Sequence, residues 1–592
     1  MPVQWTFGQG TYGQRAFGRR AALWTAAGVL GTAALSGCGG GSGAGGSSSV
    51  LAGTAAADIW NNAVARTGGK VTWGIEQKVQ NWNELSASGA SFDTAQVLNG
   101  IYPAAFVTNP SYAVTLNSDL LESAEQTAAG PQTVVYRIKP GAAWSDGVPI
   151  TAADFDYTWQ VQNGTDANIP AATTLGYSQI KSVTGSDQGK TVTVVFAAPF
   201  PDWKSLFGCL YPAHVAAAHG DSEQSFAWFA ANPPAVSGGP FAVASVAPDK
   251  SLVVEARNDK YYGAAANLDQ VAFRTVGDET QEVAALQNRE VDGIYPQPTP
   301  DLVSQLASLG HHITYRIDTG MEFDHIDFNL RNPVLANPVW GRTLRTAMFT
   351  ALNRNEVLSK TVQLLQPTAV ALNNRMFVPG QPGYQNDVTT YGLGTGDLAA
   401  ARKLLTAAGF TGATAGGKLT APGGAAVPAF KMVYSVGNSA RQTTCQLFAA
   451  AMADLGITVD VAPTDDLGAT LTQSSPGYGY DIVDFAWVAS PFPASANQPA
   501  YTSNGGNNFG GYSNGDVDGW LNQAAAATDQ SVVAADLDKA DQQISQDAYT
   551  LPLYQKPTLI AFWPDLVNVH NNVTQSGPTY NVGQWGLRKP TP

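Results

Sequence analysis

The side chains best suited to holding a ligand lie in loops that follow predicted strands. One loop carries Trp82 and Asn83, and another carries Tyr102. Aromatic side chains provide rigid apolar area with polar edges, which suits a cleft that must grip varied side chains or sugar rings. For each aromatic residue the alternative is packing in the core. We predict a ligand-binding site formed by Trp82, Asn83, Tyr102, Trp487, Ser490, Phe492, Asn507 and Tyr512.

Motifs for catalysis or metal binding are absent from the sequence or incomplete. Neither G-x-S-x-G nor H-E-x-x-H occurs. Residues 514–519 are similar to the start of a calcium loop, but Ala525 stands where the closing glutamate belongs. His311 and His312 are adjacent, and neighbouring residues of a strand point apart, so we expect a solvated turn there. We therefore predict no enzyme, no cofactor and no metal site.

The thiol of Cys38 is a candidate for covalent modification. It ends the string Leu35-Ser36-Gly37-Cys38, which resembles a bacterial lipobox and follows a basic segment and an apolar stretch. An incidental cysteine after a plain signal peptide is the alternative. We predict a signal peptide over residues 1–37, lipidation at Cys38, and a flexible Gly/Ser-rich tether over residues 38–57. This places the protein on the outer face of the cytoplasmic membrane, with the Sec and twin-arginine export routes both open.

The composition limits the partners. The net charge is −14 although only 13 % of residues are charged, so the chain is acidic. Such a surface repels phosphate backbones and anionic lipid headgroups, which excludes nucleic acid as the main partner and leaves the lipid anchor as the membrane contact. We expect a monomer. Cys209 and Cys445 could form a disulfide outside the cytoplasm or remain buried thiols.

The remaining chain alternates strand-like runs with helical patterns, which favours an α/β protein. Residues 271–274 form a predicted strand, residues 282–286 a helix, and the segment around Gly293 a second strand. These segments form a βαβ unit. The string Trp144-Ser145-Asp146-Gly147 predicts a turn, and Thr151 with Asp154 predicts the capped start of a helix, so we interpret this segment as structural.

Several segments resemble the peptide/nickel class of solute-binding lipoproteins that serve ABC transporters, which includes the oligopeptide- and dipeptide-binding proteins. Residues 134–155 are similar to the family signature F-x-L-R-x-G-V-x-W-S-D-G-x-P-V-T-A-x-D-V. Shorter matches occur at residues 210–214, 237–241, 257–262 and 397–410. The likeness covers residues 70 to 590. It implies a ligand that is a peptide or another small molecule, and an ABC permease complex as partner.

The resemblance also implies a type II periplasmic-binding-protein fold, in which two α/β lobes close over the ligand about a hinge and an extra α/β domain is inserted in the first lobe. We predict lobe I over residues 58–95, 178–270 and 551–592. The inserted domain is expected over residues 96–177 and lobe II over residues 271–550.

One position departs from the family pattern. Peptide binders carry W-x-x-D, whose aspartate neutralises the ammonium group of the peptide, whereas this chain has Ser490 three residues after Trp487. Asp484 is the nearest acid, but on a strand it points away from the face that holds Trp487. The leading hypothesis is delivery of peptides or a peptide-sized polar ligand to an ABC importer. The alternative is a lipoprotein of the same fold that regulates cell-envelope glycolipid (mannoside) assembly without transport.

Overall fold

The structure, a computed structural model, describes residues 60–277, 279–472 and 479–589. Strands and helices alternate along the chain, as predicted. The predicted signal peptide, Cys38 and the tether lie outside the described residues. The strands are β1 Ala65–Arg66, β2 Lys70–Ile75, β3 Phe106–Thr108, β4 Val114–Leu116, β5 Leu121–Ala129, β6 Gln132–Ile138, β7 Ile180–Ser186, β8 Thr191–Phe196, β9 Phe241–Val246, β10 Leu252–Arg257, β11 Gln270–Thr275, β12 Gly293–Ile294, β13 Thr314–Phe328, β14 Phe430–Ser435, β15 Val459–Thr464, β16 Ile482–Val488, β17 Thr550–Phe562, β18 Leu566–Val567 and β19 Gly586–Arg588.

The α-helices are mostly short and capped by polar side chains. They are α1 Phe92–Leu98, α2 Ala152–Gln162, α3 Ala213–Ala218, α4 Ser222–Ala231, α5 Glu279–Gln287, α6 Pro300–Ser308, α7 Gly341–Ala351, α8 Arg354–Lys360, α9 Asp387–Thr390, α10 Leu398–Ala407, α11 Ser439–Ala453, α12 Leu467–Thr472, α13 Pro493–Tyr501, α14 Gly515–Ala526 and α15 Gln530–Asp547. Within the described ranges, none of them combines the length and the apolar character that a membrane crossing requires.

The largest sheet has ten strands in the order β15-β14-β16-β13-β17-β12-β2-β11-β10-β9. Two adjacent interior strands, β13 and β17, run from one half of the molecule into the other. Residues 314–319 of β13 pair with residues 557–562 of β17, and residues 323–327 pair with residues 550–555 and with β16. We call residues 60–319 and 557–589 lobe I, and residues 321–555 lobe II.

The two crossing strands form the hinge between the lobes. The pairing register shifts between Thr319 and Phe323, so the ladder is interrupted where the lobes meet. Gly320 lies at this point, and a Cβ there would stand 2.6 Å from the carbonyl oxygen of Lys556. Only glycine permits this approach without a backbone shift.

The lobe boundaries differ from those predicted. The predicted βαβ unit exists as β11, α5 and β12, but both of its strands pair in parallel with β2 and therefore belong to lobe I. Lobe II begins at the hinge, about fifty residues after the predicted boundary at 271. A separate four-stranded sheet, in the order β5-β6-β8-β7, extends through Phe196 and beyond the predicted end of the inserted domain at 177. Local patterns identify strands but not the sheet that they join.

Each lobe has its own apolar core. Trp73, Trp144 and Trp585 are fully buried in lobe I, and Phe328 and Phe448 are fully buried in lobe II. The lobes are therefore independently packed bodies joined by the hinge, which is the condition for rigid-body closure.

Two structural interpretations from the sequence are confirmed. The chain turns after Trp144, where the Gly147 N–H donates to the Trp144 carbonyl, and α2 begins at a capped residue. Thr151 and Asp154 form a capping box at the start of α2, and the indole of Trp144 donates to the Asp154 carboxylate. The cysteine alternatives are also resolved, because Cys209 in lobe I and Cys445 on α11 in lobe II are both free thiols.

Candidate functional site

A cavity of about 710 Å³ opens in lobe I. Its wall is formed by the loop before α1, one side of α1, the β3–β4 hairpin, the segment before Leu210, and the C-terminal segment 575–584. All of its lining residues belong to lobe I. The lining combines aromatic rings such as Tyr102 and Tyr177 with amides such as Asn117, so it offers both apolar area and hydrogen-bonding groups.

A smaller cavity of about 30 Å³ lies between the lobes. Lobe II contributes Met321 beside the hinge and residues 488–491 at the end of β16 and in the loop that follows, whereas lobe I contributes Thr108 and residues 573–576. Thr108, Gln575 and Ser576 line both cavities. The loop after β16 therefore meets lobe I at the edge of the larger cavity.

The structure places the predicted site residues of lobe I in different surroundings. Tyr102 lines the larger cavity. Trp82 is 2 % exposed, packs in the lobe I core, and lines neither cavity. Asn83 is buried, where its amide donates to the Phe226 carbonyl and its amide oxygen accepts from the Leu85 N–H. Trp82 and Asn83 are thus core residues that hold the loop in place, and we omit them from the proposed site.

Of the predicted site residues in this part of lobe II, one lines a cavity and three do not. Ser490 lines the small interlobe cavity, and its hydroxyl accepts from the N–H of Phe492, which is itself buried. Tyr512 is buried, and its hydroxyl donates to Asp547. Asn507 is half-buried, and its backbone N–H donates to the Pro499 carbonyl. Phe492, Asn507 and Tyr512 line neither cavity.

Trp487 lies in an aromatic cluster beside the hinge end of lobe II. Its ring stacks on those of His325 and Phe509, with centroids 5.9 and 5.8 Å away. Asp484 lies on the opposite face of β16, as the strand alternation predicted, because it pairs with Ile326 whereas Trp487 pairs with Phe323. Asp484 is fully buried and lines neither cavity.

Three charged residues that sequence reasoning missed line the larger cavity: Glu84, Asp119 and Lys204. Glu84 directly follows Asn83 in the loop that the sequence analysis selected, but it is Glu84 that lines the cavity. The Asp119 carboxylate accepts from the Tyr261 hydroxyl at 2.8 Å. The Lys204 ammonium lies over the rings of Trp203 and Phe106, 5.5 and 5.9 Å from their centroids.

Burial shifts the pKa values of Glu84 and Lys204, each in the direction that favours the neutral form. It raises the pKa of Glu84 to about 7, partly offset by a hydrogen bond from the Cys209 thiol. Burial also lowers the pKa of Lys204. In both cases the cavity disfavours the charged form because the ion has lost water without gaining an opposite charge.

A direct hydrogen bond joins the two lobes. The carboxylate of Asp202, in lobe I, accepts from the N–H of Ser495 at 2.9 Å, and both residues are buried. Ser495 lies in the first turn of α13, where the helix dipole favours a negative charge. Burial nevertheless raises the pKa of Asp202 from 3.8 to about 6, with the bond to Ser495 opposing the shift.

We predict that lobe contact in the unliganded protein becomes more favourable as the pH falls. Separation of the lobes exposes Asp202 and returns its pKa to the ordinary range, so closure takes up a proton between about pH 4 and pH 6. Between pH 7 and pH 4 the free energy of closure becomes more favourable by up to about 3 kcal/mol. Above pH 7, Asp202 no longer makes closure depend on pH. X-ray scattering across this range measures the radius of gyration. Asp202→Asn is expected to remove the dependence, and a variant that keeps it would contradict the assignment.

Comparisons with known proteins agree with this architecture. The model for bacterial extracellular solute-binding proteins, family 5 Middle, matches residues 115–509. The oligopeptide-binding protein OppA of Mycobacterium tuberculosis (strain H37Rv) is 27 % identical over 512 residues, which are 86 % of this chain and 83 % of OppA. The probable monoacyl phosphatidylinositol tetramannoside-binding protein LpqW of the same strain is 33 % identical over 204 residues, 34 % of this chain and 31 % of LpqW.

A solved structure is similar over nearly its full length. The periplasmic EDTA-binding protein EppA superposes with a TM-score of 0.82 at 33 % sequence identity, covering 90 % of this chain and 99 % of EppA. The two-lobed arrangement with crossing strands is therefore shared with a periplasmic binding protein.

Proposed function

The chain belongs to family 5 of the bacterial extracellular solute-binding proteins, and we propose that it delivers peptides, or a peptide-sized polar ligand, to an ABC importer. Its fold is that of the type II periplasmic binding proteins, and both family and fold are those of binding proteins rather than enzymes. The observation that carries the proposal is a large, partly charged cavity in lobe I whose edge meets a smaller cavity between two separately packed lobes.

The hinge and the lobe contact support a closure mechanism. A ligand that touches both lobes, at the larger cavity and at the loop carrying Ser490, stabilises the closed form over the open one. A permease can then distinguish the loaded protein by its shape. We propose that the protein acts as a monomer, since one chain supplies both lobes and the hinge.

The chemistry of the relatives fits this cavity. OppA is named for oligopeptides and EppA for EDTA, and both ligands are flexible, polar and charged. We propose Tyr102 and Ser490 as ligand contacts, one from each lobe, with Trp487 supporting the loop that carries Ser490. Lipidation at Cys38 would hold the protein at the outer face of the cytoplasmic membrane, and loss of membrane association in Cys38→Ser would test it.

The second candidate is regulation of cell-envelope glycolipid assembly. The local similarity to LpqW favours it, and the amide-rich wall of the cavity suits sugar hydroxyls as well as peptide groups. Because LpqW matches over only 31 % of its length, import is the better-supported function.

Native mass spectrometry of protein purified from its own host tests the proposal. We expect a small molecule that is released on denaturation and whose return lowers the radius of gyration. Ala95→Trp, on the wall of the larger cavity, should purify empty, whereas Ala526→Trp on the exposed end of α14 should retain the ligand. Retention by Ala95→Trp would contradict a site in this cavity. A released mannoside would favour the second candidate.

A further inference from the structure

The larger cavity contains two opposite charges that do not pair with each other. Glu84 and Lys204 both line it, yet neither forms an ion pair with any residue in the described part of the chain. Both side chains are half-buried. Charges that are removed from water and left unpaired destabilise a protein, so their presence requires a reason.

Each charge keeps free hydrogen-bonding capacity. Lys204 rests on the faces of Trp203 and Phe106, which stabilises the cation but uses none of its N–H donors. Among the described side chains, only the Cys209 thiol donates to the Glu84 carboxylate. An ionised carboxylate accepts several hydrogen bonds, so Glu84 can bind a cationic group and Lys204 an anionic one.

We propose that the ligand is a zwitterion whose cationic group binds Glu84 and whose anionic group binds Lys204, so that lobe I alone recognises both charges. This inference rests on the proposed binding function. The residue that binds the ligand's cationic group is then Glu84 of lobe I. Position 490 of lobe II does not supply it, because the chain has a neutral serine there. A neutral sugar would leave both charges unpaired. A free-ended short peptide matches Glu84 and Lys204, while the third charged lining residue, Asp119, accepts from the Tyr261 hydroxyl. Such a peptide also fits a cavity of about 710 Å³.

Other titratable groups face Glu84 from the elements packed around it. They are the Cys209 thiol and the hydroxyls of Tyr102 and Tyr211, and the Tyr211 hydroxyl accepts the Glu84 N–H. Burial raises the pKa of all three well above the ordinary values, so they stay neutral between pH 5.5 and 7. Among these four groups, Glu84 is therefore the one whose charge changes in that range.

Three mixtures of random tetrapeptides test the proposal: one with free ends, one N-acetylated and one C-amidated. Native mass spectrometry measures the retained peptide. Wild type should retain the free-ended mixture at least about tenfold better than either blocked mixture, as expected for loss of a partly buried charge pair. Glu84→Gln should lose the preference over acetylated peptides, and Lys204→Met the preference over amidated ones. Glu125→Gln and Lys181→Met, both exposed and outside the cavity, are the matched controls.

The pH profile gives a readout that a structural role would not produce. An ammonium group lowers the pKa of Glu84, so binding releases a proton and the affinity for free-ended peptides should rise from pH 5.5 to 7. The affinity of Glu84→Gln should show no such rise. Equal retention of blocked and free mixtures would overturn the charge assignment while leaving the binding function intact. If no mixture is retained but a host molecule is, the zwitterion proposal alone fails; if nothing binds, the proposed function fails too.

Discussion

An Asp202→Arg variant is expected to lose lobe closure and roughly a hundredfold in ligand affinity. The wild-type carboxylate accepts the Ser495 N–H at the start of α13 and is only 3 % exposed. Arginine would place a buried positive charge against the positive end of the helix dipole. Replacing this interlobe hydrogen bond by a buried unpaired charge costs about 3 kcal/mol. Because binding requires closure, the ligand affinity falls by the same free energy.

Two measurements separate this effect from general damage. X-ray scattering should show that the ligand no longer reduces the radius of gyration of Asp202→Arg, and calorimetry gives the affinity. Asp460→Arg, an exposed reversal of the same charge on lobe II, should behave as wild type. The interlobe bond would be irrelevant to closure if Asp202→Arg compacted normally with ligand. Asp202→Asn should still close at pH 7, because its amide oxygen can accept the same N–H.

An Arg375→Met variant should reduce the free energy of unfolding of lobe II by about 3–5 kcal/mol. Arg375 and Asp541 have fully buried side chains, and the guanidinium Nη1 lies 3.0 Å from the carboxylate Oδ1. The guanidinium also donates to the Ser545 hydroxyl and the Thr550 carbonyl. Removal of the cation would leave Asp541 buried beside Asp387, whose pKa is already raised to about 7 by burial and by Asp541.

Chemical denaturation measures this loss of unfolding free energy, from the transition in which lobe II unfolds. Lys403→Met removes an exposed cation from α10 and should change the unfolding free energy by less than about 0.5 kcal/mol. Because a buried pair can be replaced by apolar groups with little cost, the double variant Arg375→Met/Asp541→Leu should recover much of the stability. If Arg375→Met reduced the unfolding free energy by less than about 1 kcal/mol, the Arg375–Asp541 pair would not be isolated from water.

Much of the local structure was predictable because its causes lie within a few residues. The Thr151–Asp154 capping box, the Asp397 cap of α10 and the strand alternation that separates Asp484 from Trp487 depend only on neighbouring positions. The family signature around Trp144 is also local, and it led to the correct fold. These features are short-range hydrogen bonds and side-chain periodicity, which the order of residues specifies directly.

The site was decided by tertiary structure. Sequence reasoning selected Trp82 and Asn83, but both side chains are buried in the core of lobe I. Their neighbour Glu84 lines the cavity instead. Lys204 reaches the same cavity from 120 positions further along the chain, and Asp202 meets Ser495 across 293 positions. The sequence alone therefore determined the elements and the family. Only the assembled lobes determined which charges are left without partners, because that depends on which distant surfaces exclude water together.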